Sequence, residues 1–97
     1  METVIITRHR PLVEWLAREG IAGPVLEQAD VNDVRNKHVY GVLPMWLAAE
    51  AALVSEVSMP GITLEQRKSM AAGDLSVAEM DAAGAHLVTY QVRKVEK

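Results

Sequence analysis

The chain predicts an α/β fold, a mostly parallel sheet flanked by helices, built as one small domain over residues 1–97. Three observations carry that expectation. Apolar strand-like runs alternate with helix-like runs along the chain, the pattern of layered α/β proteins. Two of these units, beginning at Thr3 and at His38, share one design: a strand, a tight turn, a proline and a helix. No linker, low-complexity tract or short-period repeat divides the sequence.

The elements justify themselves in order. Val4 to Ile6 is rich in β-branched residues and suits a buried strand. Thr7, Arg8, His9 and Arg10 follow, and Pro11 then stands where a first helical residue should be, since its missing N–H costs nothing there. Leu12, Trp15 and Leu16 keep helical spacing, and Gly20 is a C-terminal stop. Gly23-Pro24 marks a turn, and Val25 with Leu26 offers a short second strand. Asp30 to Lys37 is polar and suits a loop or a single helical turn.

His38 to Leu43 is another apolar strand, in which Gly41 marks close backbone approach by a neighbouring helix or a ligand. Pro44 falls at or near the first position of a second helical run, Met45 to Val54, strong by propensity. Ser55 to Met59 alternates weakly as a short strand before the Pro60-Gly61 turn. Thr63 to Gln66 matches a capping box, so a helix starts at Leu64, with Gly73 interrupting or ending it. Ser76 to Glu79 is a second capping box, opening a short helix that Gly84 stops. Ala85 to Val95 alternates around Val88, Tyr90 and Val92 as a closing strand, and Arg93 to Lys97 is a charged, frayed end.

Composition narrows the function. An apolar content of 49% supports a packed core, and a domain of this size gains from a dimer interface. A formal charge of −3 argues against duplex nucleic-acid binding, which wants a broad basic face. It leaves room for a small anionic ligand in a local basic pocket. The absence of cysteine removes disulfides, thiolate chemistry and cysteine zinc sites, and suits a cytoplasmic protein. No signal pattern and no membrane-length apolar run is present, so no membrane partner is expected. Glycine-rich phosphate loops and a His-Glu-x-x-His metal pattern are missing, and neither Ser55 nor Ser58 sits in a nucleophile elbow. No metal and no cofactor are expected.

The basic loop carries the candidate chemistry. Free N–H groups of a first helical turn attract anions, while the macrodipole disfavours cations there by ~0.3–1 kcal/mol each. Arg8 and Arg10 nevertheless crowd that end, which makes sense if an anion binds; the ordinary explanation is that they point into water or pair with distant acids. Their guanidinium forks suit phosphate oxygens, with Arg8 closer to the strand end. His9, the only histidine on the predicted ligand edge, is a candidate acid or base, or simply a surface residue at a helix start. His38 and His86 precede strands and belong at the opposite edge if those strands run with the first. Thr7 offers a hydroxyl to a ligand or a helix cap. Trp46 is a stacking platform for a base or, more ordinarily for a helical Trp, a core or interface residue. Ligands in such sheets bind beyond the carboxyl ends of the strands, where strand order reverses. If the first strand and the His38 strand are parallel neighbours, Thr7–Arg10 joins Gly41, Leu43, Pro44 and Trp46 in one pocket.

A resemblance adds to this. Thr3-Val-Ile-Ile-Thr-Arg-His9, Val13-Glu-Trp-Leu-Ala17 with Gly20-Ile21, Val34-x-x-Lys-His-Val-x-Gly-Val-Leu-Pro44 with Leu47-Ala48, and Gly84-Ala85-x-Leu87 with Tyr90 together resemble small standalone CRISPR-associated proteins found beside type III systems. Such proteins are similar to a stripped-down CARF domain, the Rossmann-like sensor of cyclic oligoadenylates. The resemblance implies a homodimeric ring nuclease. It would bind a cyclic oligoadenylate, with cyclic tetra-adenylate the expected ring, and open it without a metal by attack of a ribose 2′-hydroxyl on the neighbouring phosphorus. On position, Arg8 and His9 are the expected catalytic pair. The same resemblance leaves a binding module that does not cut, or an interaction subunit of a CRISPR complex, as alternatives.

Overall fold

The computed structural model describes residues 1–96, so the last residue of the expected charged end, Lys97, lies outside the described residues. The elements, in chain order, are β1 (Thr3–Ile6), α1 (Arg10–Arg18), β2 (Val25–Leu26), α2 (Val31–Val34), β3 (His38–Gly41), α3 (Met45–Ala48), β4 (Leu53–Ser58), α4 (Leu64–Ala71), α5 (Val77–Ala82) and β5 (His86–Tyr90). They form one five-stranded sheet in the order β2-β1-β3-β4-β5. β2, β1, β3 and β4 run parallel, and β5 pairs with β4 antiparallel. The predicted α/β class and mostly parallel sheet are therefore present.

Strand β1 is buried on both sides, as a central parallel strand must be. Val4 and Ile6 join Val34, Val39, Leu47, Ala48 and Val54 in a core on the α2–α3 face. Ile5 points the other way, into a core with Leu12, Trp15, Leu16, Leu75 and Met80 beneath α1 and α5. Successive side chains of a strand alternate faces, so one tripeptide nucleates both layers.

Helix α1 docks Leu12, Trp15 and Leu16 and ends in the turn at Gly20, which takes a positive φ. It is stapled to α5 through Asp81, which accepts from Trp15 Nε1–H at 3.2 Å and from both terminal nitrogens of Arg18. Hydrogen bonding from Arg18 holds the Asp81 carboxyl below the usual carboxylate range; partial desolvation opposes this and the Trp15 bond adds to it. Both expected capping boxes, Thr63–Gln66 and Ser76–Glu79, form at α4 and α5, and an unforeseen one, Asp30–Asp33, opens the single turn of α2.

Four expectations change, the first being that the strand expected over His38 to Leu43 ends at Gly41. The helical run expected over Met45 to Val54 stops at Ala48, and Leu53 to Ser58 is strand instead. Pairing of His38–Tyr40 with Leu53–Ser55 outweighs alanine helix propensity, a case of tertiary context overriding a weak local preference. The closing strand is shorter than Ala85–Val95, ending at Tyr90. Its reversed direction also places His86 opposite Ser58, at the carboxyl edge of the parallel strands, whereas His38 sits at the amino edge opposite Thr3.

The α1–α5 staple has a definite pH signature. A carboxylate held below its unfolded value stabilises the fold above about pH 4 and loses that contribution as pH falls through the folded value. Asp81→Asn is therefore expected to lower Tm at pH 7 and to match the parent more closely at pH 3; an equal Tm gap at both pH values would remove the ionic part of this staple.

Candidate functional site

The carboxyl edge of the sheet is built by the turn after β1 and the turn after β3. β1 and β3 are parallel neighbours, with Ile6 opposite Gly41, and β2 lies on the far side of β1. Chain order thus reverses between β1 and β3, the position where open α/β sheets bind ligands.

In the first turn the Thr7 N–H extends the β1–β2 pairing to Leu26 O at 2.9 Å. The Thr7 hydroxyl accepts from His9 N–H at 3.0 Å, so it braces the loop rather than capping α1. The helix opens at Arg10, with His9 as its cap residue, no side-chain cap and no acid in its first turn. Pro11 is its second residue. Arg8 and Arg10 are exposed, and neither forms an ion pair among the described residues. Thr7, Arg8, His9 and Arg10, with Val13, Val25 and Glu27, line a concavity of about 460 Å³.

Of the two readings of His9, the surface residue at a helix start does not hold: only 4% of it is exposed. Its Nε2 donates to Leu75 O at 2.7 Å, and its Nδ1 is buried with no partner. A buried polar atom left unpaired costs ~1–3 kcal/mol. The α4–α5 connection that supplies Leu75 is a part of the site that sequence reasoning missed; only Gly73 hinted at a break there, and nothing local pointed it toward His9.

The second turn does not complete that concavity. Gly41, Val42 and Leu43, with Met45 and Tyr90, line a separate hollow of about 330 Å³. Trp46 borders a third, of about 510 Å³, with Met45, Glu50, Arg93 and Lys94. The single pocket expected from Thr7–Arg10 and Leu43–Trp46 is thus divided. The cause is the reversal itself, which sends α1 to one face of the sheet and α3 to the other. Pro44 caps α3 from an extended conformation instead of entering it. Trp46 is 66% exposed, which rules out a core role within the protomer, and Tyr90 is exposed, donating to Glu56 Oε1 at 3.3 Å.

Gly41 has a structural cause. Its φ is +148°, and a Cβ there would overlap the Ile6 carbonyl oxygen of β1. The approaching backbone is thus the adjacent strand, not a helix or a ligand. Elsewhere, His38 Nε2 and Ser55 Oγ are 2.7 Å apart and Ser55 Oγ lies 2.6 Å from Thr89 Oγ1, a polar chain across β3, β4 and β5. Burial pushes the His38 imidazole pKa down. No group of three or more His, Asp or Glu side chains gathers to hold a metal ion among the described residues.

A comparison with protein families decides the wider identity. Residues 4–93 match the family model described as "Putative CRISPR-associated protein (Cas_VVA1548)". The chain belongs to this CRISPR-associated family. No curated protein and no solved structure gives a significant match. The family match spans both edge-forming turns, so the basic loop, its buried histidine and the divided carboxyl edge all lie within the CRISPR-associated unit. No helix among the described residues is long and apolar enough to cross a membrane.

Two expectations follow from this geometry. Gly41→Ala should destabilise by about 2–4 kcal/mol through strain and overlap, lowering Tm by roughly 10–20 °C; a parental Tm would show that β1 does not dictate this glycine. Arg10→Glu, which replaces a cation by an anion at the start of α1, should raise Tm by roughly 2–8 °C in anion-free buffer. A lowered Tm there would mean that Arg10 is held by contacts other than the helix field.

Proposed function

We propose that the chain is a ring nuclease of type III CRISPR signalling, which binds a cyclic oligoadenylate, with cyclic tetra-adenylate the first candidate, and opens it without a metal. The observation that carries the reading is the pair of exposed arginines, Arg8 and Arg10, at the start of α1, without carboxylate partners among the described residues. In a chain of net charge −3 this places unmatched positive charge where a helix already attracts anions. Membership of a CRISPR-associated family supplies the context.

In this reading Arg8 and Arg10 grip a phosphodiester, and Arg8 neutralises charge that grows on the phosphate in the transition state. The 2′-hydroxyl of the adjoining ribose attacks phosphorus, the bond to the 5′-oxygen breaks, and a 2′,3′-cyclic phosphate end results. Holding hydroxyl and phosphorus in line supplies much of the rate. A two-fold ring fits a two-fold dimer in which each protomer gives one basic loop. Val42, Met45, Trp46 and Tyr90 are 48–80% exposed and leave on the order of 500 Å² of side chain open. That is a large part of the ~800 Å² per partner that a standard interface covers. Exposed Trp46 beside Arg93 and Lys94 is also suited to stack a base.

One observation favours a second reading, a module that binds the ring without cutting it. Among the described residues, His9 is the only histidine lining the Arg8–Arg10 concavity, and it is covered.

The test is incubation with cyclic tetra-adenylate in excess chelator, with products resolved by liquid chromatography and mass detection. Linear adenylates with cyclic phosphate ends are expected, and Arg8→Ala should slow their formation at least 10-fold. An intact ring that nevertheless raises Tm would leave the binding module. An intact ring with no Tm change, repeated with the trimer and hexamer rings, would leave the interaction subunit.

A further inference from the structure

We infer that His9 acts on a ribose hydroxyl as hydrogen-bond and proton acceptor through Nδ1, held in one tautomer by the Leu75 carbonyl. The inference rests on the ribonucleotide reading above and fixes the direction of proton transfer at that site.

A carbonyl oxygen only accepts, so the 2.7 Å contact to Leu75 O requires the proton on Nε2. The neutral ring then presents a bare lone pair at Nδ1. Nδ1 is also the buried side-chain polar atom that has no hydrogen-bond partner among the described residues. Buried polar atoms are ordinarily satisfied, and an exception calls for a cause. By contrast, Ser55, the other buried polar residue, has two partners. His9 lines the concavity of Arg8 and Arg10, where a phosphate would sit. The missing partner is a donor beside a phosphate, and the 2′-hydroxyl next to a 3′-phosphodiester meets that description. A deoxyribose has nothing to offer there.

Nδ1 is covered, so a hydroxyl reaches it as the short Thr7–Arg10 loop gives way. That loop is braced by one bond between His9 N–H and the Thr7 hydroxyl. In the reaction the hydroxyl proton passes to Nδ1 as the 2′-oxygen bonds to phosphorus. The bond from phosphorus to the 5′-oxygen breaks, the departing oxygen takes a proton from water, and the imidazolium returns its proton to solvent. With its Nε2 proton hydrogen-bonded to Leu75 O, the neutral ring has only a lone pair to offer at Nδ1, so His9 serves as base and not as acid to the leaving group.

Calorimetric titration with cyclic tetra-adenylate and with its all-2′-deoxy counterpart tests this, using the parent, His9→Gln and His9→Asn. Glutamine keeps a donor for Leu75 and lacks an acceptor near Nδ1; asparagine does the reverse. The parent is expected to prefer the ribose ring by about 10-fold. His9→Gln should bring the two rings within about twofold of each other, with Tm near parental, and should slow ring opening by about 100-fold or more. His9→Asn should keep the preference at a lower Tm. Equal binding of both rings by the parent overturns the inference and leaves the ring-binding reading standing. A preference that survives in His9→Gln overturns it too, since sugar pucker alone would then account for it. Binding of neither ring by the parent removes both readings together.

Discussion

The parallel pairing of β1 with β3 is the constraint on which the rest depends. Ile6 stands opposite Gly41 with no room between the backbones for a Cβ, so the two strands end together and their turns leave from one edge. Because β2 and β3 flank β1 on opposite sides, the intervening helices pack on opposite faces. Each face then receives alternate residues of β1: Val4 and Ile6 on one, Ile5 on the other. A single-residue slip of β1 would exchange these sets and strand both cores, which is why so short a strand has a fixed register.

The same frame concentrates charge. Helices α2, α4 and α5 begin as isolated helices prefer to, with a capping box and an acid in the first turn. Helix α1 has neither, and carries Arg10 at its start with Arg8 just before it. The contrast within one chain makes the basic start of α1 a local exception, set against an overall charge of −3. Helix α3 also lacks a side-chain cap and a first-turn acid, but among the described residues only α1 opens on an arginine, the kind of inconsistency expected where binding matters more than stability.

Local signals were legible in the sequence. The β-branched run of β1, the spacing of Leu12, Trp15 and Leu16, and the boxes at Thr63 and Ser76 all report interactions within a few residues, and all appear as expected. The expectations that changed depend on distant partners. Leu53 and Val54 look helical after a run of alanines until β3 is beside them. The direction of β5, and with it the edge on which His86 lies, is set by pairing with β4. Trp46 reads as a base-stacking platform or, as a helical Trp, a core or interface residue, and the core alternative falls because α3 ends before its second turn and leaves the ring outside. At the site, Arg8 and Arg10 were readable because a helix start and a proline are local features. The burial of His9 was not, because its cover comes from the α4–α5 connection, 66 residues away at Leu75.

That connection explains how a loop of three residues is held. Asp81 on α5 grips Trp15 and Arg18 near the end of α1, while the Leu75 carbonyl, just before α5, accepts a hydrogen bond from His9 Nε2–H at its beginning. Both ends of α1 are therefore fixed to one short segment, residues 75–81. The backbone at Gly73 also lies against Arg8, so a side chain added there would meet the Arg8 carbonyl at 3.7 Å, an ordinary contact. The arginines project from a scaffold fixed on one side and remain open on the other. Their backbone is braced on the side of residues 75–81, while their side chains, which have no carboxylate partner among the described residues, keep their guanidinium donors unspent. Binding groups held on a rigid support lose less conformational entropy on engagement than groups on a free loop. In this chain that support comes from contacts formed across the whole fold, whereas the charge it presents comes from Arg8 and Arg10, two positions that flank a single residue.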